Sequence, residues 1–262
     1  MQVKISAVIM TFNEERNIER CLKSLVEVVD EIVVVDSFST DRTEEICRSF
    51  GTRFIQYPFE GFIEQRTRVI GLATFPHVLA VDADEVLSEE LKKSILQIKQ
   101  NWAADAYTFN RLTNFCGTWI RHSGWYPDVK LRLLDRRKGS VGGGNPHDKI
   151  MMDKECTVRH IKGDLLHYSF YSISEYMAQQ NKFTTIAAEG YYRKGKKSPN
   201  VFSIILRSKW RFVRDYFFRL GFLDGYAGFL VCKFSETTTF TKYAKLRHLH
   251  DLQKEQKKTN QV

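Results

Sequence analysis

Apolar residues in the first hundred positions come either in short unbroken runs or at helical spacing, and the two kinds alternate. Val3 to Met10 predicts a strand. Ile18, Cys21, Leu22 and Leu25 predict a helix, with Asn13 in the polar break Thr11-Phe12-Asn13-Glu14-Glu15 as its N-cap. Glu31 to Asp36 predicts a second strand. Ile46, Cys47 and Phe50 mark a second helix that stops at Gly51, and Arg53 to Tyr57 a third strand. Phe62 to Ala73 reads as a helix, Val78 to Val81 as a strand, and Leu91 to Ile98 as a helix. Ile32 to Val35 and Val78 to Val81 lack period-two alternation, as strands covered on both faces do. The expected class is therefore α/β, a mainly parallel sheet flanked by helices.

Polar clusters close three of these strands: Thr11 to Glu14, Asp36 to Asp41, and Asp82-Ala83-Asp84-Glu85. Parallel sheets bind ligands at the carboxyl ends of their strands. Asp82 and Asp84, two apart on an extended chain, put both carboxylates on one side. Their repulsion is relieved by a divalent cation, and hard oxygen ligands favour Mg²⁺ or Mn²⁺. The plainer reading is an acidic turn capping the next helix. Three clusters converging on one sheet edge favour a nucleotide-type site. Asp41, in Ser-Thr-Asp before a helix, reads as capping chemistry. No G-x-G-x-x-G and no G-x-x-x-x-G-K-[ST] occurs, so dinucleotide and P-loop readings lose their best support.

A chain of 262 residues fits one large domain, or one domain with an appendage. Five cysteines without C-x-x-C spacing point to reduced thiols in a cytosolic setting. Asn13, Glu14 and Glu15 follow Ile5 to Met10 too closely for a secretory leader. No run reaches the roughly 18 apolar residues of a spanning helix. Charge is uneven: residues 1–100 carry 12 Lys+Arg against 17 Asp+Glu, and residues 101–262 carry 28 against 14. After the charged linker Arg193 to Lys197, apolar residues from Ile204 to Leu220 interleave with Arg207, Lys209, Arg211, Arg214 and Arg219. Such a basic, aromatic-rich amphipathic helix suits an anionic membrane surface, or packs on the rest of the protein with snorkelling arginines. Single-stranded nucleic acid would also fit interleaved Arg and aromatics, but no DNA- or RNA-binding motif accompanies them. No nucleic-acid partner is expected.

The three strand-end segments, Thr11 to Glu15, Val34 to Thr43 and Asp82 to Glu85, resemble in order and spacing the landmarks of family 2 glycosyltransferases. That family commonly has Gly where this chain has Phe38. Further segments resemble the branch that contains lipopolysaccharide core β-1,4-glucosyltransferases. They are Gly124 to Asp128, Arg132-Leu133, Pro146 to Lys149, Gly221 to Gly225 and Lys242 to Leu246. The branch commonly has Val-His-Glu where this chain has Pro146-His147-Asp148. The resemblance spans roughly residues 3–250.

The resemblance implies a GT-A fold, a nucleotide-diphosphate sugar donor such as a UDP-hexose, and single displacement with inversion. On this reading Asp36 accepts from uracil or ribose, and Thr11 and Glu14 line the same pocket. Asp82 lies against the nucleotide sugar. Asp84 holds the metal that bridges the diphosphate, and His147 completes the metal shell or contacts the diphosphate. Gln65 and Arg66 fall where the family often has Gln-Lys, so Arg66 either reaches the diphosphate or sits on a solvated helix face. Asp128 and Asp148 are the candidate bases; Asp128 is slightly favoured because it follows Trp125 and Tyr126, and aromatic rings stack on sugars. The Gly142-Gly143-Gly144 stretch reads as a turn. Residues 1–192 would form the catalytic domain, with a nucleotide-binding half (1–101) and an acceptor half (102–192), and residues 193–262 a basic helical extension. The expected partners are a lipid-linked saccharide, such as the lipopolysaccharide inner core, and the cytoplasmic face of the inner membrane. The rivals are nucleotidyl transfer, disfavoured by the loop after the first strand, and a non-enzymatic membrane adaptor, which would need neither Asp36 nor Asp84.

Overall fold

The computed structural model describes residues 2–144 and 147–259. It begins as the sequence pattern predicts: β1 (Ile5–Thr11), α1 (Ile18–Leu25), β2 (Glu31–Asp36), α2 (Thr43–Ser49), β3 (Arg53–Gln56), α3 (Phe62–Leu72) and β4 (His77–Asp82). A short β5 (Glu85–Leu87) precedes α4 (Glu89–Gln100). The strands β3, β2, β1 and β4 lie side by side and parallel, with Ile9 in register with both Val34 and Val81. Both faces of this half are covered: Ile9, Val34 and Val81 enter one apolar cluster, and Val8, Val33 and Ala80 enter another. Burial on two sides is the reason these strands read as unbroken apolar runs.

Beyond residue 101 the strands are β6 (Ala106–Phe115), β7 (Thr118–Ile120), β8 (Asp128–Asp135), β9 (Gly139–Gly144), β10 (His147–Met152) and β11 (Val158–Phe170). β8 adds antiparallel to β4 and to β6, and β11 pairs antiparallel with β5. The sheet is thus mixed, parallel in its first half and antiparallel in its second. The glycine-rich stretch expected as a turn is the strand β9, antiparallel to β10. A Cβ on Gly142 would lie 2.2 Å from the Met151 Cε, so the glycine makes room for that side chain.

The chain divides into two compact units, residues 1–112 with 127–168, and residues 113–126 with 169–262. The second contains α5 (Ile173–Arg193), α6 (Val201–Val213) and the 35-residue α7 (Gly225–Thr259). The amphipathic segment expected over 204–220 is not one helix. α6 ends at Val213, and a π-helical turn (Arg214–Phe218) and a 3₁₀ turn (Gly221–Asp224) follow. The glycines of this motif allow close packing: a Cβ on Gly228 would lie 2.0 Å from the Gly221 carbonyl oxygen. Asp224 accepts hydrogen bonds from the His122 backbone N–H and is 2.8 Å from its Nδ1. Among the described residues no helix is long and apolar enough to cross a membrane, and the five cysteines are free.

Candidate functional site

The turn Asp82 to Glu85 closes on itself: the buried Glu85 carboxylate accepts from the Asp82 N–H at 2.9 Å. That leaves the Asp82 carboxylate facing two arginines. Arg66, from the buried side of α3, reaches Oδ1 at 2.8 Å, and Arg132, from β8, reaches Oδ2 at 2.6 Å. Burial alone would raise the Asp82 pKa, but the charges of Arg132 and Arg66 overcome it and hold the carboxyl well below the usual range. The chain of charge continues. Arg132 and Arg111 each approach Glu85 Oε1 at 3.4 Å, and Arg111 pairs with Asp128 at 2.8 Å across β6 and β8. Lys130 adds a contact to Asp128 at 3.0 Å. The expected Arg66 therefore belongs to the strand-end site and not to a solvated helix face. Arg132, Arg111 and Glu85 join it, and the sequence pattern had given the last two no role.

Asp84 has a different partner. β11 pairs with β5 so that His167 lies opposite Glu85, and the His167 Nε2 comes within 3.1 Å of the Asp84 Oδ2. Nothing in the local sequence announces this contact; His167 is brought in only by the strand pairing. A carboxylate oxygen and an imidazole nitrogen facing one another are a donor set suited to Mn²⁺ and compatible with Mg²⁺. Among the described residues no group of three or more His, Cys, Asp and Glu side chains is arranged to hold a metal. Glu14 faces the same charges. Burial pushes its carboxyl up to about 7 against the pull of the Asn17 hydrogen bond, and the charges of Asp84, Asp41 and Asp82 add to the rise. Glu14 thus adds a further carboxyl on the Asp84 side of the site.

The first two strand-end loops are tied to each other. Asp36 is fully buried and accepts from the Thr11 hydroxyl at 2.9 Å, from the Ser39 N–H at 2.8 Å and from the Ser39 hydroxyl. Thr11 and Asp36 thus hold the loops from within. Asn13 is not the N-cap of α1. It takes a left-handed backbone with φ 55°, and its Oδ1 accepts from the Thr40 N–H at 2.8 Å. Asp41, one residue before the Arg42 N-cap of α2, accepts from the Thr43 N–H and from the Glu15 N–H, both at 3.0 Å, and so ties the helix start to the first loop. Phe38 has φ 60° and an exposed side chain, which explains why glycine suits this position.

Of the candidate bases, Asp128 is engaged by Arg111 and Lys130 as above. The side chains of His147 and Asp148 lie outside the described residues; their backbone opens β10, opposite Gly144 and Gly143. Trp125 is not an open sugar platform: its ring packs against Phe115, Phe170 and Tyr176 at 6.0 to 6.3 Å between centroids.

Fold and site together define an α/β protein whose charged groups gather at the carboxyl ends of parallel strands. A sequence model described as "Glycosyl transferase family 2" matches residues 6–157, and the chain belongs to that family. Its fold is accordingly GT-A. An uncharacterized glycosyltransferase of Rickettsia typhi is 30% identical over 258 residues, 94% of this chain and 87% of the relative. The lipopolysaccharide core biosynthesis glycosyltransferase LpsC of Rhizobium meliloti is 28% identical over 263 residues, 96% of this chain and 94% of the relative. Among solved structures, glucosyl-3-phosphoglycerate synthase from Mycobacterium tuberculosis aligns at 23% identity over 43% of this chain and 44% of that one. Its TM-score is 0.36, a likeness too slight to speak for this chain's ligands.

Proposed function

We propose that this glycosyltransferase moves a hexose, glucose by the branch resemblance, from a UDP-sugar to a lipid-linked saccharide such as the lipopolysaccharide inner core, with inversion at the anomeric carbon. One observation carries the reading: Asp84 faces His167 at the end of β4, beside an Asp82 clamped by Arg66 and Arg132. The similarity to LpsC, whose name states a role in lipopolysaccharide core biosynthesis, supports the acceptor class.

In the single displacement the acceptor hydroxyl oxygen bonds to the anomeric carbon, the bond from that carbon to the diphosphate oxygen breaks, and the hydroxyl proton passes to a carboxylate. The leaving diphosphate gathers negative charge. Arg66 and Arg132, fixed by Asp82, supply preorganised positive charge at the strand ends. A divalent cation held by Asp84 and His167 would add Lewis-acid stabilisation of the same leaving group. The nucleoside would lie over Thr11, Glu14 and the loop that Asp36 organises. For the proton, Asp128 would first have to release Arg111 or Lys130, which favours Asp148. The enzyme works, on this reading, as a peripheral protein at the cytoplasmic face of the inner membrane. Exposed Trp210, Phe217 and Phe218, set among arginines, support that location.

The test is calorimetric titration of UDP with and without Mn²⁺, paired with sugar transfer to extracted acceptor. Asp84→Asn should abolish the Mn²⁺-dependent part of UDP binding and reduce transfer about 10³-fold. Unchanged transfer in that variant, or in EDTA, would overturn the metal assignment. Asp148→Asn should keep UDP binding and lose transfer; if it transfers normally while Asp128→Asn does not, Asp128 is the base. A donor screen with GDP-mannose and UDP-N-acetylglucosamine tests the UDP-hexose assignment, and transfer to other extracted cell-surface glycans tests the acceptor.

A further inference from the structure

Most of the side chains on the exposed side of α6 are apolar, with Lys209 among them paired to Glu236 at 2.7 Å. Val201, Phe202, Ile205, Leu206 and Trp210 repeat at helical spacing, and Phe202 and Leu206 are 74% and 57% exposed, while Ile204 and Ser208 are buried. Exposed apolar residues grouped along one helix are a candidate interaction surface. At the first turns of the same helix lies a cavity of about 380 Å³, lined by Lys196, Lys197, Ser198, Ser203, Arg207 and Tyr243 among others, and by no carboxylate. Arg207 is fixed at its wall: Nε donates to the Ser203 hydroxyl at 2.9 Å, and the guanidinium lies 5.4 Å from the centre of the Tyr243 ring. The Asn200 Oδ1 accepts from the Ser203 N–H at 2.7 Å and so holds the loop against the helix.

Three cations and three hydroxyls around a concavity are the groups that bind a phosphate, with a guanidinium for its oxygens and ammonium charges for the rest. We propose that this cavity holds the phosphate of an anionic phospholipid headgroup, while the exposed face of α6 lies at the acyl boundary of the same leaflet. The assignment rests on the membrane-surface reading above and gives it a specific site. A free phosphorylated saccharide would fill the cavity equally well, but it would leave the adjoining apolar face without a partner. A lipid surface satisfies both at once.

The test is co-sedimentation of the full chain with phosphatidylcholine vesicles, with and without phosphatidylglycerol. The pocket variant is Lys196→Ala/Lys197→Ala/Arg207→Ala. Its charge-matched control removes exposed cations of the other compact unit, Lys93→Ala/Lys154→Ala/Arg159→Ala. Lys197→Glu serves as a single exposed change that leaves folding alone. The expected result is a preference for the anionic vesicles that falls at least roughly tenfold in the pocket variant and in Lys197→Glu, and far less in the control. Equal losses in pocket variant and control would overturn the site and leave general membrane attraction standing. Wild type that binds no vesicle overturns the membrane reading and the lipid assignment together. If inorganic phosphate or glucosamine 6-phosphate then raises the melting temperature of wild type and not of the pocket variant, the cavity takes a phosphorylated saccharide instead.

Discussion

Glu14 keeps its proton to about pH 7 in the folded protein, whereas an unfolded chain releases it near 4.5. Between those values the native state binds more protons than the unfolded one, so stability falls as pH rises. The group is partly exposed, which screens the effect, and the loss between pH 4 and 8 is about 2 kcal/mol. Glu14→Gln should therefore match wild type at pH 4 and exceed it at pH 8 in urea unfolding without divalent cations. Parallel stability curves for the two proteins would show that Glu14 titrates normally. Phe38 offers a second check. Its left-handed backbone costs about 1 kcal/mol in any residue but glycine, and its side chain packs on little. Phe38→Gly should raise stability by about 0.5–1 kcal/mol; a loss of that size would mean the exposed ring makes contacts that matter. The departure at Phe38 was visible in the sequence because the neighbouring motif fixed its register. His167 was not, since no spacing rule links it to a carboxylate more than eighty positions earlier.

Strand β11 shows why the second half of the sheet was harder to read than the first. β2 and β4 are buried on both faces, and their unbroken Val, Ile, Leu and Ala runs announce them. β11 mixes Arg159, Lys162 and Asp164 with Ile161 and Leu165, and its side chains are mostly half-buried or exposed. Its position depends on a glycine. A Cβ on Gly163 would lie 2.2 Å from the Leu91 backbone N, at a φ of 97°. The strand passes the start of α4 at a distance that only hydrogen at that position permits. Gly163→Ala should cost about 3 kcal/mol or more, since backbone rather than a side chain must give way. Gly51→Ala is the matching control: its φ is 67°, but nothing lies within 4 Å, so only the backbone penalty of about 1 kcal/mol remains. Equal losses in the two variants, read by urea denaturation, would refute the close approach. Because β11 also carries His167 to Asp84, the Gly163 variant should lose Mn²⁺-dependent UDP binding even where it remains folded. The glycine-rich β9 departs from its turn-like composition for a related reason. Gly142 and its neighbours look like a turn by composition, yet they serve side-chain packing from β10.

Charge divides between the two compact units as well as between the halves of the sequence. Residues 113–126 with 169–262 carry 18 Lys+Arg against 7 Asp+Glu, and the remaining residues carry 22 against 24. The unit that contains the strand-end site is therefore close to neutral, and its cations are consumed in short pairs such as Arg66 to Asp82 and Arg111 to Asp128. The other unit holds all of the chain's excess positive charge. Added salt should separate the two. Raising ionic strength from about 0.1 M to 1 M shortens the screening length from about 10 Å to about 3 Å, which weakens exposed, long-range attraction and leaves short, partly buried pairs nearly intact. If the basic unit brings the enzyme to an anionic membrane, salt should raise the apparent KM for acceptor presented in anionic vesicles several-fold. It should do so far less for the same acceptor in neutral detergent micelles. The KM for the UDP-sugar should change little in either case, because the guanidinium groups at the strand ends are already fixed by carboxylates. The measurement is a pair of initial-rate series over salt, one varying acceptor and one varying donor, in both presentations. Acceptor KM values that rise equally in vesicles and micelles would place the salt-sensitive contact on the saccharide itself. A donor KM that rises while the acceptor KM stays flat would remove the basic unit from membrane recruitment altogether.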